Sequence, residues 1–201
     1  MQMQGQIGPI ATIASAGAGA QPIIRLGHMG DLIVSNLHGN GYESAYRGTR
    51  FAVANQAAVT TTAALATTFT GLVVGNPVGN AYNLILDRFS CAQFAVGAAG
   101  AIGIMTGLST TAITGTLTPR NQKVGGAGST MAASAGQTIG TPVLEAVFGQ
   151  VGSLATTGYG LTPGVVAELN GGLIIPPGYF VASYTTVVTT SALIFGFSWE
   201  E

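Results

Sequence analysis

Residues 193–199 read Leu-Ile-Phe-Gly-Phe-Ser-Trp. In an extended chain Leu193, Phe195, Phe197 and Trp199 fall on one face, and Gly196, Ser198 and Glu200 on the other. Side chains of a strand alternate between faces with a period of two. A helix would scatter the same large groups around its circumference, so this run must be a strand with one face buried. The stretch before it fits the same plan. Leu173 to Ile175 form an apolar run, and Pro176-Pro-Gly178 follows. Two prolines cannot both donate to a ladder and glycine accepts positive φ, so the chain turns a corner there. Tyr179 to Val187 is then β-branched, aromatic or small, without a charge. Residues 168–201 therefore read as the closing strands of an antiparallel β-sandwich or barrel.

Other runs repeat the pattern. Residues 81–94 alternate, with Tyr82, Leu84, Leu86 and Arg88 on one side and Asn83, Ile85, Asp87 and Phe89 on the other. Large groups on both faces predict a central strand, with Asp87 and Arg88 pointing opposite ways and pairing to other strands. Phe51-Ala-Val-Ala and residues 141–151 read as strands, residues 22–37 as two short strands, and residues 93–105 with 108–117 as a hairpin. Gly39-Asn-Gly41 and Gly75-Asn-Pro-Val-Gly-Asn80 are turns. Residues 118–130 form a polar, glycine-rich loop. The Ala/Thr-rich residues 56–70 leave helix and strand open, with strand or extended coil favoured. Eight to ten short strands at this spacing predict an all-β, two-sheet antiparallel sandwich of jelly-roll type. Residues 1–24, poor in large apolar groups, are expected to form an extended N-terminal arm, and residues 25–201 a single β-sandwich domain.

Charge bounds the function. Of 201 residues only 6% are Asp, Glu, Lys or Arg, and 47% are hydrophobic, with a net charge of −1. Ordinary soluble domains carry about a quarter charged residues. Six basic groups spread between Arg25 and Lys123 do not supply the cluster that phosphates need, so no nucleic-acid partner is expected. Arg47 and Arg50, near Tyr42, Tyr46 and Phe51, are the closest approach to a patch. The lone Cys91 excludes an intrachain disulfide. No Lys or Arg precedes the apolar N-terminal residues, which argues against a secretory leader. Residues 92–108 are uncharged and long enough to suggest a membrane span, but Gly97, Gly100, Gly103 and Gly107 favour a pair of buried strands. No membrane association is expected.

No chemistry-bearing constellation stands out. His28, Asp31 and His38 do not have a metal-ligand spacing. Cys91 sits in an apolar strand without a base, which predicts an inert thiol. Ser90, Ser134 and Ser153 lie in no nucleophile elbow. Asp87, Glu145 and Glu168 read as isolated carboxylates rather than a glycosidase pair. Gly125-Gly-Ala-Gly128 lacks the Lys-Ser/Thr of a phosphate loop. The chain is expected to be non-enzymatic, with no metal and no cofactor. A surface of Thr, Asn, Gln, Ser, Gly and Ala meets another protein without stripping water from charges, which favours a subunit of a large symmetric assembly.

The segment from Glu168 to Trp199, with Gly171-Gly-Leu-Ile-Ile-Pro-Pro-Gly-Tyr-Phe-Val-Ala-Ser-Tyr-Thr, resembles the closing part of virion structural proteins of tailed bacteriophages. It is similar in particular to jelly-roll capsid cement or decoration proteins. It covers about a sixth of the chain, and elsewhere only the Gly/Ala/Thr-rich character matches. The resemblance implies a non-enzymatic protein on the capsid surface of the virion that clamps major capsid protein subunits, as a dimer or trimer of itself. Residues 1–24 and 118–130 are the expected contact regions, the arm preferred. Three other readings stand beside it. One is a tail, collar or spike component. Another is a carbohydrate-binding jelly-roll module using Trp199, Tyr179, Tyr184 and Tyr159 as stacking platforms. The last is a membrane protein spanning with residues 92–108.

Overall fold

The computed structural model describes residues 41–95, 98–152, 164–190 and 192–201. The expected arm, the two strands within 22–37 and the boundary between residues 24 and 25 lie outside them. The described chain opens with a short helix, α1 (Tyr42–Arg47), and continues as ten strands. They are β1 (Arg50–Ala54), β2 (Thr68–Gly75), β3 (Leu84–Gln93), β4 (Gly100–Leu108), β5 (Arg120–Asn121), β6 (Ala132–Thr138), β7 (Val143–Val151), β8 (Val165–Ile175), β9 (Tyr179–Thr185) and β10 (Leu193–Glu200).

Two antiparallel five-stranded sheets pack face to face. Sheet 1 runs β5-β1-β10-β3-β8 and sheet 2 runs β6-β2-β9-β4-β7. The pairs are nested: β1 with β10, β2 with β9, β3 with β8 and β4 with β7. One long antiparallel hairpin rolled across two sheets gives this order, and that is a jelly roll. β5 and β6 come from the chain between β4 and β7, and extend the β1 and β2 edges.

The alternation of the last run places the core. Leu193, Phe195, Phe197 and Trp199 are all buried between the sheets. Phe89 is ringed by Phe148, Phe195 and Phe197 at centroid distances of 5.6, 6.2 and 5.3 Å, and Phe51 stacks on Trp199 at 6.2 Å. Burying each such ring contributes about 2–3 kcal/mol. The Pro-Pro-Gly corner carries the chain from β8 in sheet 1 to β9 in sheet 2. Tyr179 N–H closes the turn on Pro176 O at 3.2 Å, and Gly178 takes φ 86°. The last apolar run before it proves to be the end of an eleven-residue strand. Its middle bulges outward: between the pairs Leu86↔Leu173 and Arg88↔Glu168, β8 advances five residues while β3 advances two, with Asn170 and Gly171 at positive φ.

Two expectations change. Asp87 and Arg88 do not point opposite ways. Against β10, Asp87 is the extra residue of a bulge, so it and Arg88 both stand on the outer face between buried Leu86 and Phe89. They do pair to other strands, Asp87 to Arg50 and Arg88 to Glu168. Residues 108–117 form no hairpin with β4, because both edges of β4 are taken by β7 and β9. Instead the segment crosses the outer face of sheet 2, meeting β6 through the bridge Leu117↔Ala133 and through hydrogen bonds to Gln137 and Ser134. Residues 92–108 hold the end of β3 and all of β4, and no helix of the described residues is long and apolar enough to cross a membrane. Residues 56–67 are largely extended coil, with a bridge from Val59 to Leu193.

Candidate interaction surface

The residues singled out for chemistry are held apart. Cys91 lies on β3 in the core, and burial pushes its thiol up to about 12. At neutral pH that is an unreactive thiol. Ser90 donates to Gly196 O at 3.4 Å. The buried Ser134 hydroxyl shares a hydrogen bond with Thr116 Oγ1 at 3.0 Å and donates to Gly136 O. Asp87 and Glu168 stand on sheet 1, each beside its own arginine, while Glu145 is on β7 of sheet 2 and accepts from Thr106 Oγ1 at 3.0 Å. Gly125, at φ 81°, sits in a turn closed by Gly126 N–H to Lys123 O. Among the described residues no three His, Cys, Asp or Glu side chains gather as a metal site. His28, Asp31, His38, Ser153 and Tyr159 lie outside the described residues.

The basic cluster is neutralised locally. On α1, held between Gly41 and Gly48 at positive φ, Arg47 Nε meets Glu43 Oε1 at 2.7 Å across one turn. Arg50 meets Asp87, and Lys123 lies 5.3 Å over the Tyr46 ring. Of the stacking candidates, Trp199 is fully buried and donates its indole N–H to Glu201 Oε1 at 3.1 Å, and Tyr184 packs on the outer cluster of sheet 2. Tyr179 alone of the described three is substantially exposed.

The loop at 118–130 is anchored at its base and open at its tip. Asn121 Nδ2 donates to Gly48 O at 2.8 Å and to Ala127 O at 2.9 Å. Glu201 accepts from Ser129 Oγ, from Thr130 N at 3.0 Å and from Thr130 Oγ1 at 2.9 Å. Between these anchors Val124 is 99% exposed, an apolar side chain presented to solvent on a tethered loop.

The outer faces of the two sheets differ. On sheet 2, Phe69, Val73, Met105, Phe180 and Ala182 form a second apolar cluster, covered by Ile113 from the crossing segment and Ile139. Gly75 makes room for that cover, since a Cβ there would lie 2.4 Å from Ile113 Cγ1. On sheet 1, the register aligns Arg120, Ala52, Ser198, Arg88 and Glu168 in one row across all five strands. The next row is Ala54, Gly196, Ser90 and Val166. Small side chains thus floor a shallow groove of about 360 Å³, bordered by Arg88, Arg120, Gln56 and Thr118. Strand spacing puts the two arginine Cα atoms about 14 Å apart, on either side of that floor. Sequence reading missed this surface, because its five row members lie at positions 52, 88, 120, 168 and 198 and only sheet register joins them.

Against known proteins, no family model, no curated protein and no solved structure matches the chain.

Proposed function

We propose that the chain is a non-enzymatic virion structural protein, a capsid cement or decoration protein that binds the major capsid protein and stabilises the shell from its outer surface. One observation carries this reading: the space between the sheets is filled by Trp199, Phe89, Phe195 and Phe197, so what the protein offers is its exterior. The chain as a whole carries few charges, and its exterior presents a floor of Ala, Gly and Ser on sheet 1, between Arg88 and Arg120, and the exposed Val124 on an anchored loop. Weakly polar surfaces of this kind are covered at low desolvation cost. Jelly rolls serve both shell proteins and lectins, so fold alone does not choose between them. The burial of Trp199 removes the strongest stacking platform a sugar ring could use, and this favours the shell.

Cryo-electron microscopy of native particles is the test. The expected density places the sandwich over joints between capsomers, with residues 118–130 against the major capsid protein. Density confined to a tail, collar or spike would reassign the chain to that part of the virion. Particles with both residues 1–24 and 118–130 in open solvent would overturn the shell reading.

A further inference from the structure

The outer face of sheet 1 is complementary to itself. We propose that it is a two-fold contact between two copies of this chain, closed by reciprocal ion pairs from Arg120 of each copy to Glu168 of the other. The row Arg120–Ala52–Ser198–Arg88–Glu168 has β10 at its centre. A two-fold axis lying between the copies and running along β10 reverses the row. Arg120 on β5 then lies over Glu168 on the second copy's β8, and the reverse holds at the other end. Arg88 lies over the second copy's Ala52, where the groove floor leaves room for its stem.

Charge and size both fit this occupant. Arg120 has no side-chain partner in its own chain among the described residues, unlike Arg47 and Arg50. Glu168 is only loosely held, 3.9 Å from Arg88 and half exposed, so one carboxylate oxygen is open to a second guanidinium. Arg50 and Asp87 on the same face neutralise each other and do not oppose the approach. Sheets stacked face to face lie about 10 Å apart, a gap that Arg and Glu side chains bridge together. Five strands about 4.8 Å apart and six residues along β10, with only two residues on β5, give at most roughly 500 Å² per copy, or about 1,000 Å² in total. That is where specific interfaces begin, so the dimer is expected to be weak, with Kd in the micromolar range. Such a contact obeys isologous symmetry, in which each residue meets its counterpart reciprocally. It does not depend on the shell reading, because it concerns two copies in dilute buffer.

Sedimentation equilibrium of the full chain tests it. The wild type is expected to be a dimer at about 100 µM and to dissociate on dilution. Arg120→Glu and Glu168→Arg each weaken the dimer at least about tenfold by setting like charges against each other. The double variant recovers most of the lost affinity, since the reversed pair carries the same charges and only the new cation beside Arg88 opposes it. Ala54→Trp, an exposed position on the floor, blocks the approach without touching a charge. Circular dichroism and the urea midpoint show that each variant is folded. A wild type monomeric at 100 µM overturns the proposal. So does a dimer that both single reversals leave intact, or a folded double variant that stays as weak as its parents.

Discussion

The two sheets share a core but treat their backs differently. Sheet 2 carries large apolar groups outward, Phe69, Val73, Met105 and Phe180, and the chain spends the segment around Ile113 to cover them. Sheet 1 carries Ala52, Ala54, Ser90 and Gly196 outward and leaves them open. A sheet face with large hydrophobes must be sealed within the molecule or it aggregates. A face of small, weakly polar groups can wait for a companion. The difference shows where a protein with so few charges still keeps a surface for others: on the groove floored by Ala52, Ala54, Ser90 and Gly196, with Val166 exposed beside it.

Breaking the cover on sheet 2 has the largest expected effect. Phe180 is fully buried there, so Phe180→Ala should cost about 3–5 kcal/mol in urea unfolding. A cost below about 1 kcal/mol would mean that the outer cluster is not a packed core. Next is the glycine on which the cover rests. Gly75→Ala places a methyl 2.4 Å from Ile113 Cγ1 and should cost about 1–3 kcal/mol. It should also speed proteolysis within residues 109–117. An unchanged cleavage rate would show that Ile113 does not hold the segment down.

The shared core supplies a smaller, pH-dependent effect. Cys91 is raised to about 12 by burial, while its ordinary value is 9.0. The unfolded chain therefore loses the thiol proton first, so the stabilisation is complete below about pH 9 and drains away as pH rises toward 12. At pH 10 the loss from this thiol relative to pH 8 should be about 1 kcal/mol. Comparing Cys91→Ala isolates it: the variant should lose about 1 kcal/mol less over that interval. Parallel pH profiles would mean that the thiol is hydrated in the folded protein.

Much of the sandwich was legible because strand alternation is a local property. The β10 face and the Pro-Pro-Gly corner follow from neighbouring residues, and the structure has both. The bulge at Asp87 did not follow, since a one-residue slip depends on what β10 presents opposite it. Neither did the fate of residues 108–117, whose apolar Ile113 and Leu117 suggested a strand until both edges of β4 proved occupied. Helix α1 left a signal that could have been used: Glu43 and Arg47 four apart, flanked by Gly41 and Gly48. The row on sheet 1 left none, because strand register is not written in any one segment.

The smallest expected effect is on that row. Among the described residues two ion pairs stand on the outer face of sheet 1, Arg50–Asp87 and Arg88–Glu168. The first is mostly shielded from water, and removing Arg50 leaves Asp87 without that partner in a confined place, a change expected to cost about 1–3 kcal/mol. The second spans 3.9 Å between side chains 48% and 52% exposed, where water and salt screen it. Arg88→Ala, Glu168→Ala and the double variant should therefore give a coupling below about 0.5 kcal/mol in urea unfolding of the dilute monomer. A coupling of about 2 kcal/mol or more would show that the pair seals sheet 1 from within, and the contrast between a closed back and an open one would fall. If the coupling is as small as expected, Arg88 and Glu168 are not there for the monomer's stability, and two charges in a chain this short of them have their use outside it.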